Sequence, residues 1–107
     1  GLVTDVTTGK TDGTIVEDGD IIIDGEKIKI APAGDTSLGV FFVTGSGTSI
    51  PVTHSLAQND PKRIICRVPM LEAGTYTLKI VTRFTSGSNK PLNEPREIIY
   101  NQPLKVG

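Results

Sequence analysis

Glu72-Ala73-Gly74-Thr75-Tyr76-Thr77-Leu78-Lys79-Ile80-Val81-Thr82-Arg83-Phe84 carries the longest strand signal in the chain. From Tyr76 the residues alternate, with Tyr76, Leu78, Ile80 and Phe84 on one face and Thr77, Lys79 and Arg83 on the other. Successive strand side chains point to opposite faces, so this strand has one buried and one wetted side. Val81-Thr82 interrupts the pattern, which suits a central strand whose second face is partly covered. Gly74 suits a turn leading into it. A Tyr just inside such a strand can send its hydroxyl back to upstream backbone, the tyrosine corner of antiparallel sandwiches.

The remaining chain has the same texture. Gly39–Thr44 is apolar enough for a central strand, and Arg63–Val68 puts Ile64, Cys66 and Val68 on a core face. Those two stretches and the Tyr76 strand should form the centre. Leu2–Val6, Thr14–Glu17, Ile50–His54, Arg96–Tyr100 and Leu104–Val106 read as shorter strands. Ile21-Ile22-Ile23 and Glu26–Ile30 flank Asp24-Gly25, which predicts a hairpin with a two-residue turn. Gln58-Asn59-Asp60-Pro61 is a turn, because Pro presets φ and Asn or Asp caps local backbone. Thr7–Gly13 is small and polar, so residues 1–12 are in part linker-like. No segment of ten residues shows helical periodicity. The pattern, eight or nine short strands about a turn apart, predicts one domain over residues 1–107, an all-β antiparallel sandwich or barrel. The terminal strands Leu2–Val6 and Leu104–Val106 are candidate edges for pairing between chains.

Charge narrows the partners. A formal net charge of −1 gives no whole-domain attraction to nucleic acid or to an acidic membrane. Residues 1–35 balance to −5 and residues 36–107 to +4, but a sandwich interleaves early and late strands. The single Cys66 excludes an internal disulfide and fits a reducing compartment. The leading Gly and missing Met point to a domain excised from a longer protein, with no signal peptide in view.

Candidate chemistries fall away one by one. A Cys66 nucleophile would need His54 as base and an orienting carboxylate, and Cys66 points inward. His54 has no second His or Cys at zinc spacing. Glu17-Asp18-Gly19-Asp20 and Asp24-Gly25-Glu26 could offer oxygens to calcium, but EF-hand spacing is absent and Asp-Gly pairs are what turns need. Sugar binding wants aromatic platforms; Trp is absent, which leaves Tyr100. No catalytic residue, cofactor or metal is expected. Lys62, Arg63 and Arg67 share a strand, while Arg83, Lys90 and Arg96 surround the Thr85–Pro95 loop, the default place for binding. Outward Arg on a sheet can pair with phosphates.

Four stretches in order resemble a known family: Asp24–Ile30; Gly39–Val43; Gln58–Pro61 leading through Val68–Leu78; and Val81–Phe84 followed by Glu94-Pro95-Arg96. They resemble a bacterial domain of unknown function with an immunoglobulin-like fold, found after histone-like (HU/IHF-type) DNA-binding domains. The resemblance covers roughly residues 13–106 and, with the corner Tyr76, makes the expectation an immunoglobulin-like sandwich of seven to nine strands. It implies a cytoplasmic, nucleoid-associated parent in which an N-terminal domain makes the main DNA contacts. It transfers no catalytic residue. Its matching positions read as structural: Gly25 and Gly74 for turns, Asn59 and Pro61 for a loop, Tyr76 for the corner. Arg83 and Arg96, with Arg63 and Arg67, are the candidate interaction surface. The expected function is a non-enzymatic accessory domain serving protein contacts, self-association or auxiliary DNA backbone contact, with no membrane partner. The competing class is an adhesion or carbohydrate-handling module at the cell surface or in the periplasm.

Overall fold

The computed structural model describes residues 1–85 and 90–107. Among them are ten strands and no helix: β1 (Leu2–Asp5), β2 (Thr14–Ile15), β3 (Asp20–Asp24), β4 (Gly39–Val43), β5 (Ser49–Pro51), β6 (Gln58–Asn59), β7 (Arg63–Arg67), β8 (Gly74–Thr82), β9 (Arg96–Ile99) and β10 (Leu104–Val106). Two sheets form. One has the order β1-β3-β7-β6; the other runs β2-β10-β8-β4-β5, with β9 also on β8. All pairs are antiparallel except β2 with β10. The count exceeds the expected seven to nine; β2 is the short remnant of the expected Thr14–Glu17 strand, and the two-residue β6 lies where a turn was expected.

The alternation in β8 translates directly into packing. Tyr76, Leu78 and Ile80 enter the core, while Thr77 is exposed and Lys79 half-buried. Val81 and Thr82 are both buried, so the second face is covered where the pattern broke. Val81 lies opposite Gly39, next to buried Leu38. The strand stops at Thr82, leaving Phe84 outside it and half-exposed. Val3, Ile21, Ile23, Ile64 and Cys66 of one sheet meet Val40, Phe42, Leu78, Ile80 and Leu104 of the other. Each large apolar side chain so enclosed is worth roughly 1.5–3 kcal/mol relative to exposure.

The Asp24-Gly25 hairpin does not form. A two-residue type I′ turn requires positive φ at both central positions, and here positive φ falls at Lys27 instead (56°). Residues 26–30 leave the sheet: Gly25 N donates to Lys62 O and Ile28 N to Pro61 O. The Ile-rich strand β3 takes β1 and β7 as its neighbours. Of the turn expected at Gln58–Pro61, Gln58-Asn59 is strand β6, and the chain turns at Pro61-Lys62, where Asp60 and Arg63 exchange backbone hydrogen bonds.

Of the two terminal strands, only β1 (Leu2–Asp5) is a sheet edge, and it is covered in part. β10 lies between β2 and β8. β1 pairs only with β3, but the outward backbone of Asp5 is taken by the following turn: Asp5 N donates to Lys10 O, and Gly9 N to Asp5 O. β9 differs. Tyr100 N donates to Leu78 O, so by antiparallel alternation Glu97 and Ile99 turn their backbone groups away from β8.

Candidate functional site

All four arginines of the expected interaction surface have partners within the domain. On the outer face of the four-stranded sheet, Arg63 stands opposite Asp24 and Arg67 opposite Asp20. Their Nε–Oδ1 distances are 2.7 and 3.7 Å. The Asp24 hydrogen bond, then its charge, raises the Arg63 pKa. Arg83 Nε donates to Leu92 O at 2.7 Å and Nη1 reaches Asp35 Oδ2 at 3.5 Å. Arg96 Nη2 donates to Lys27 O and Phe84 O at 2.8 and 2.9 Å, tying three chain segments together. Arg63, Arg83 and Arg96 gather at the end of the sandwich where β8 finishes. Arg67 lies at the far end of β7, roughly 13 Å from Arg63 at ~3.3 Å per residue.

That end of the sandwich holds a cleft of about 290 Å³ lined by Lys29, Ala31, Pro32, Arg83, Phe84, Thr85, Lys90 and Pro91. Thr82, fully buried, builds one wall: its hydroxyl donates to Lys29 O at 2.6 Å and accepts from Ala31 N and Phe84 N. Asn59 brackets Ile30, accepting from its N–H at 2.8 Å and donating to its carbonyl at 3.0 Å. Arg83 N donates to Ala31 O, and Leu92 N to Arg83 O, closing the other wall. Asp35 sits behind Arg83; hydrogen bonds from Ser37, with Arg83 adding to them, hold its carboxyl below the usual range. Of the Thr85–Pro95 loop, residues 86–89 lie outside the described residues.

Of the expected structural positions, Asn59 lies in the two-residue strand β6 and not in a loop. Tyr76 donates its hydroxyl to Glu72 O at 2.6 Å, completing the corner. Gly74 opens β8 at φ 156°, a conformation that favours glycine. Pro61 sits in the β6–β7 turn. Gly25 serves space and not φ: a Cβ there would lie 2.5 Å from the Tyr100 hydroxyl, which donates to Asp24 O at 2.9 Å. Tyr100 is therefore buried and no sugar platform.

Cys66 and His54 border one open cavity, with Asp20 and Arg67. Burial, then the Asp20 charge, pushes the thiol pKa up to about 12. A nucleophile needs the opposite shift. Among the described residues no three His, Cys, Asp or Glu side chains cluster for a metal. Three of the five acids of the suggested calcium turns are engaged otherwise: Glu17 accepts from Leu71 N, while Asp20 and Asp24 face arginines.

Residues 1–98 match the family described as "Domain of unknown function (DUF4469) with IG-like fold". The chain belongs to this family. No curated protein matches it. Among solved structures it is similar to a Bacteroides vulgatus ATCC 8482 protein named "putative bacterial DNA binding protein", with 27% identity and a TM-score of 0.88. The similarity covers all of this chain and 46% of that protein's, so this family domain spans about half the length of its relative. No helix of the described residues is long and apolar enough to cross a membrane.

Proposed function

We propose that this domain is the non-catalytic accessory part of a bacterial, HU-like DNA-binding protein, cytoplasmic and nucleoid-associated. It serves protein contacts or self-association and makes auxiliary contact with duplex backbone phosphates. The observation carrying this reading is the likeness to nearly half of a protein named for DNA binding. The net charge of −1 supports a subordinate share in DNA contact, since duplex affinity rests on neutralised phosphates. The basic cleft beyond β8 supplies the local charge for such a contact. The outward backbone of Glu97 and Ile99 on β9 supports a protein contact, because an unpaired edge accepts another strand. Fluorescence anisotropy with labelled duplex, at low and physiological salt, tests the DNA part, and light scattering tests association. Weak binding that fades steeply with salt is the expected result. Absence of binding at low salt, with a monomer at high concentration and no effect on the longer protein's assembly, would overturn it.

A further inference from the structure

We infer that the open edge of β9, with the groove beside it, takes one extended strand of another protein, a segment with Lys or Arg flanking an apolar residue. The inference rests on the protein-contact reading above and names the partner's chemistry. Among the described residues, β9 has the longest uncovered edge. β2 and β6 have two residues each, β5 has three and includes Pro51, which carries no N–H, and the turn after β1 covers part of that strand. β9 runs for four residues, Arg96–Ile99, and pairs with β8. Its outward backbone groups, at Glu97 and Ile99, have no hydrogen-bond partner among the described residues. A strand laid along them gains main-chain hydrogen bonds at both positions.

Side chains set the register and the sign of the partner. A groove of about 410 Å³ lies between this edge and residues 25–28, with Ile28, Ile98, Ile99 and Tyr100 in its lining. Ile98 packs on the core, whereas Glu97 and Ile99 are 59% and 50% exposed on the outer face. Strand side chains alternate between faces, so an apolar residue of the added strand enters the groove while its neighbours stand beside Glu97 and Ile99. Glu26 is the only charged side chain lining the groove, and it has no hydrogen bond or ion pair among the described residues. Glu97 meets Lys79 at 3.9 Å, and Lys79 is shared with Ser49 Oγ and the Phe41 ring. A basic residue across from Glu97 therefore gains an opposite-charge partner, and Glu26 favours the same sign at the groove. The far wall is held before any partner arrives: Gly25 N donates to Lys62 O, Ile28 N to Pro61 O, and Arg96 Nη2 to Lys27 O. Less ordering therefore accompanies binding.

The test is an amide NMR titration of the whole chain with a short peptide alternating Val and Lys, repeated with one alternating Val and Glu. With the Lys peptide, saturable shifts centred on Gly25, Glu26 and residues 97–100 are expected, together with slowed hydrogen exchange at the Glu97 and Ile99 amides. The Glu peptide should bind more weakly. Glu97→Gln should weaken the Lys peptide about two- to fivefold, the range for an opposite-charge pair across strands. Ile99→Pro removes an outward N–H that β8 does not use, a change that an edge strand tolerates, and should abolish binding. The unchanged spectrum of each variant away from β9 confirms folding. Equal binding of the two peptides, shifts on another face, or full binding by Ile99→Pro would overturn the proposal. A dimer in light scattering that Ile99→Pro breaks, with no peptide bound, would overturn it by making the occupant a second copy, and would keep the protein-contact reading. No peptide bound and no association of any kind would overturn both. Peptide saturation of β9 without any duplex binding would uphold the proposal while removing the duplex-contact reading.

Discussion

Arg63 and Asp24 face each other in register across β7 and β3, with Nε donating to Oδ1 at 2.7 Å. Arg67 stands in the same register opposite Asp20 at an ion-pair distance of 3.7 Å, and outside the strands Arg83 Nη1 reaches Asp35 Oδ2 at 3.5 Å. Each pair links an acid from the first 35 residues to a base from the remainder. The lopsided charge of the sequence is thus cancelled by the interleaving of strands. Arg63, Arg67 and Arg83 each stand beside a carboxylate.

Arg63 and Arg67 are consequently expected to contribute little to DNA contact. Arg63→Ala and Arg67→Ala should leave the salt slope of duplex binding unchanged, whereas Asp20→Asn with Asp24→Asn should steepen it by freeing both guanidinium groups. Anisotropy across a salt series checks this. A slope lowered by about 1 in Arg63→Ala would mean that its guanidinium meets a phosphate.

Tyr76 should matter for stability and not for binding. Its hydroxyl donates to Glu72 O, and Tyr76→Phe leaves that carbonyl without this donor while keeping the ring in the core. The cost should be about 1 kcal/mol, the net worth of one such hydrogen bond. Urea unfolding would show it as a lower midpoint with an unchanged slope. An unaltered midpoint would mean that water replaces the hydroxyl.

Tyr76 also shows why much of the fold was legible in the sequence. Its strand has one buried face, so the period of two survives in the residue types, as it does for Ile64 and Cys66 in β7. The error at Asp24-Gly25 arose because local turn chemistry competed with non-local pairing. Ile21–Ile23 fills both flanks with β1 and β7, leaving no flank for residues 26–30. The cleft was half legible. Arg83, Lys90 and their loop stood out by charge. Lys29 did not, because it reaches the cleft only through Thr82 and Asn59, contacts 53 and 29 residues apart in sequence. Nothing local marks Thr82 as a wall-builder beyond its break in the alternation.

The turn after β1 should act as a cover for that strand's edge. Asp5 is buried, and its Oδ2 accepts from both the backbone N–H and the hydroxyl of Thr8, at 2.9 and 2.8 Å. This holds the backbone of Gly9 and Lys10 against Asp5. Thr8→Val removes one of these bonds at a cost of about 1 kcal/mol. Asp5→Ala removes both, and should loosen the turn and expose the outward backbone of β1. Leu2 and Val6, both substantially exposed, would flank the uncovered edge. Light scattering should then show mass rising with concentration for Asp5→Ala and less so for Thr8→Val. A strictly monomeric Asp5→Ala would show that the turn holds without its carboxylate.

Stability should fall in alkali, and Cys66 should set where the fall begins. Burial pushes the Cys66 thiol from 9.0 up to about 12, with the Asp20 charge adding to it. The Tyr100 hydroxyl moves from 10.0 to about 12 through burial, with the Asp24 charge adding. Both groups are neutral when protonated, so between these values the unfolded chain releases protons that the native chain keeps. Stability is therefore complete below the unfolded values and declines as pH rises through them, first for the thiol above pH 9 and then for the phenol above pH 10. The thiol's share has a slope of at most about 1.4 kcal/mol per pH unit. Cys66→Val removes the first stage and leaves the second. Urea midpoints followed from neutral pH into alkali should show a later onset in that variant. The native thiol should also resist a thiol reagent at mildly alkaline pH and react fully in denaturant. Coincident pH profiles for the two proteins, or rapid labelling of the folded chain, would show that the thiol is open to water.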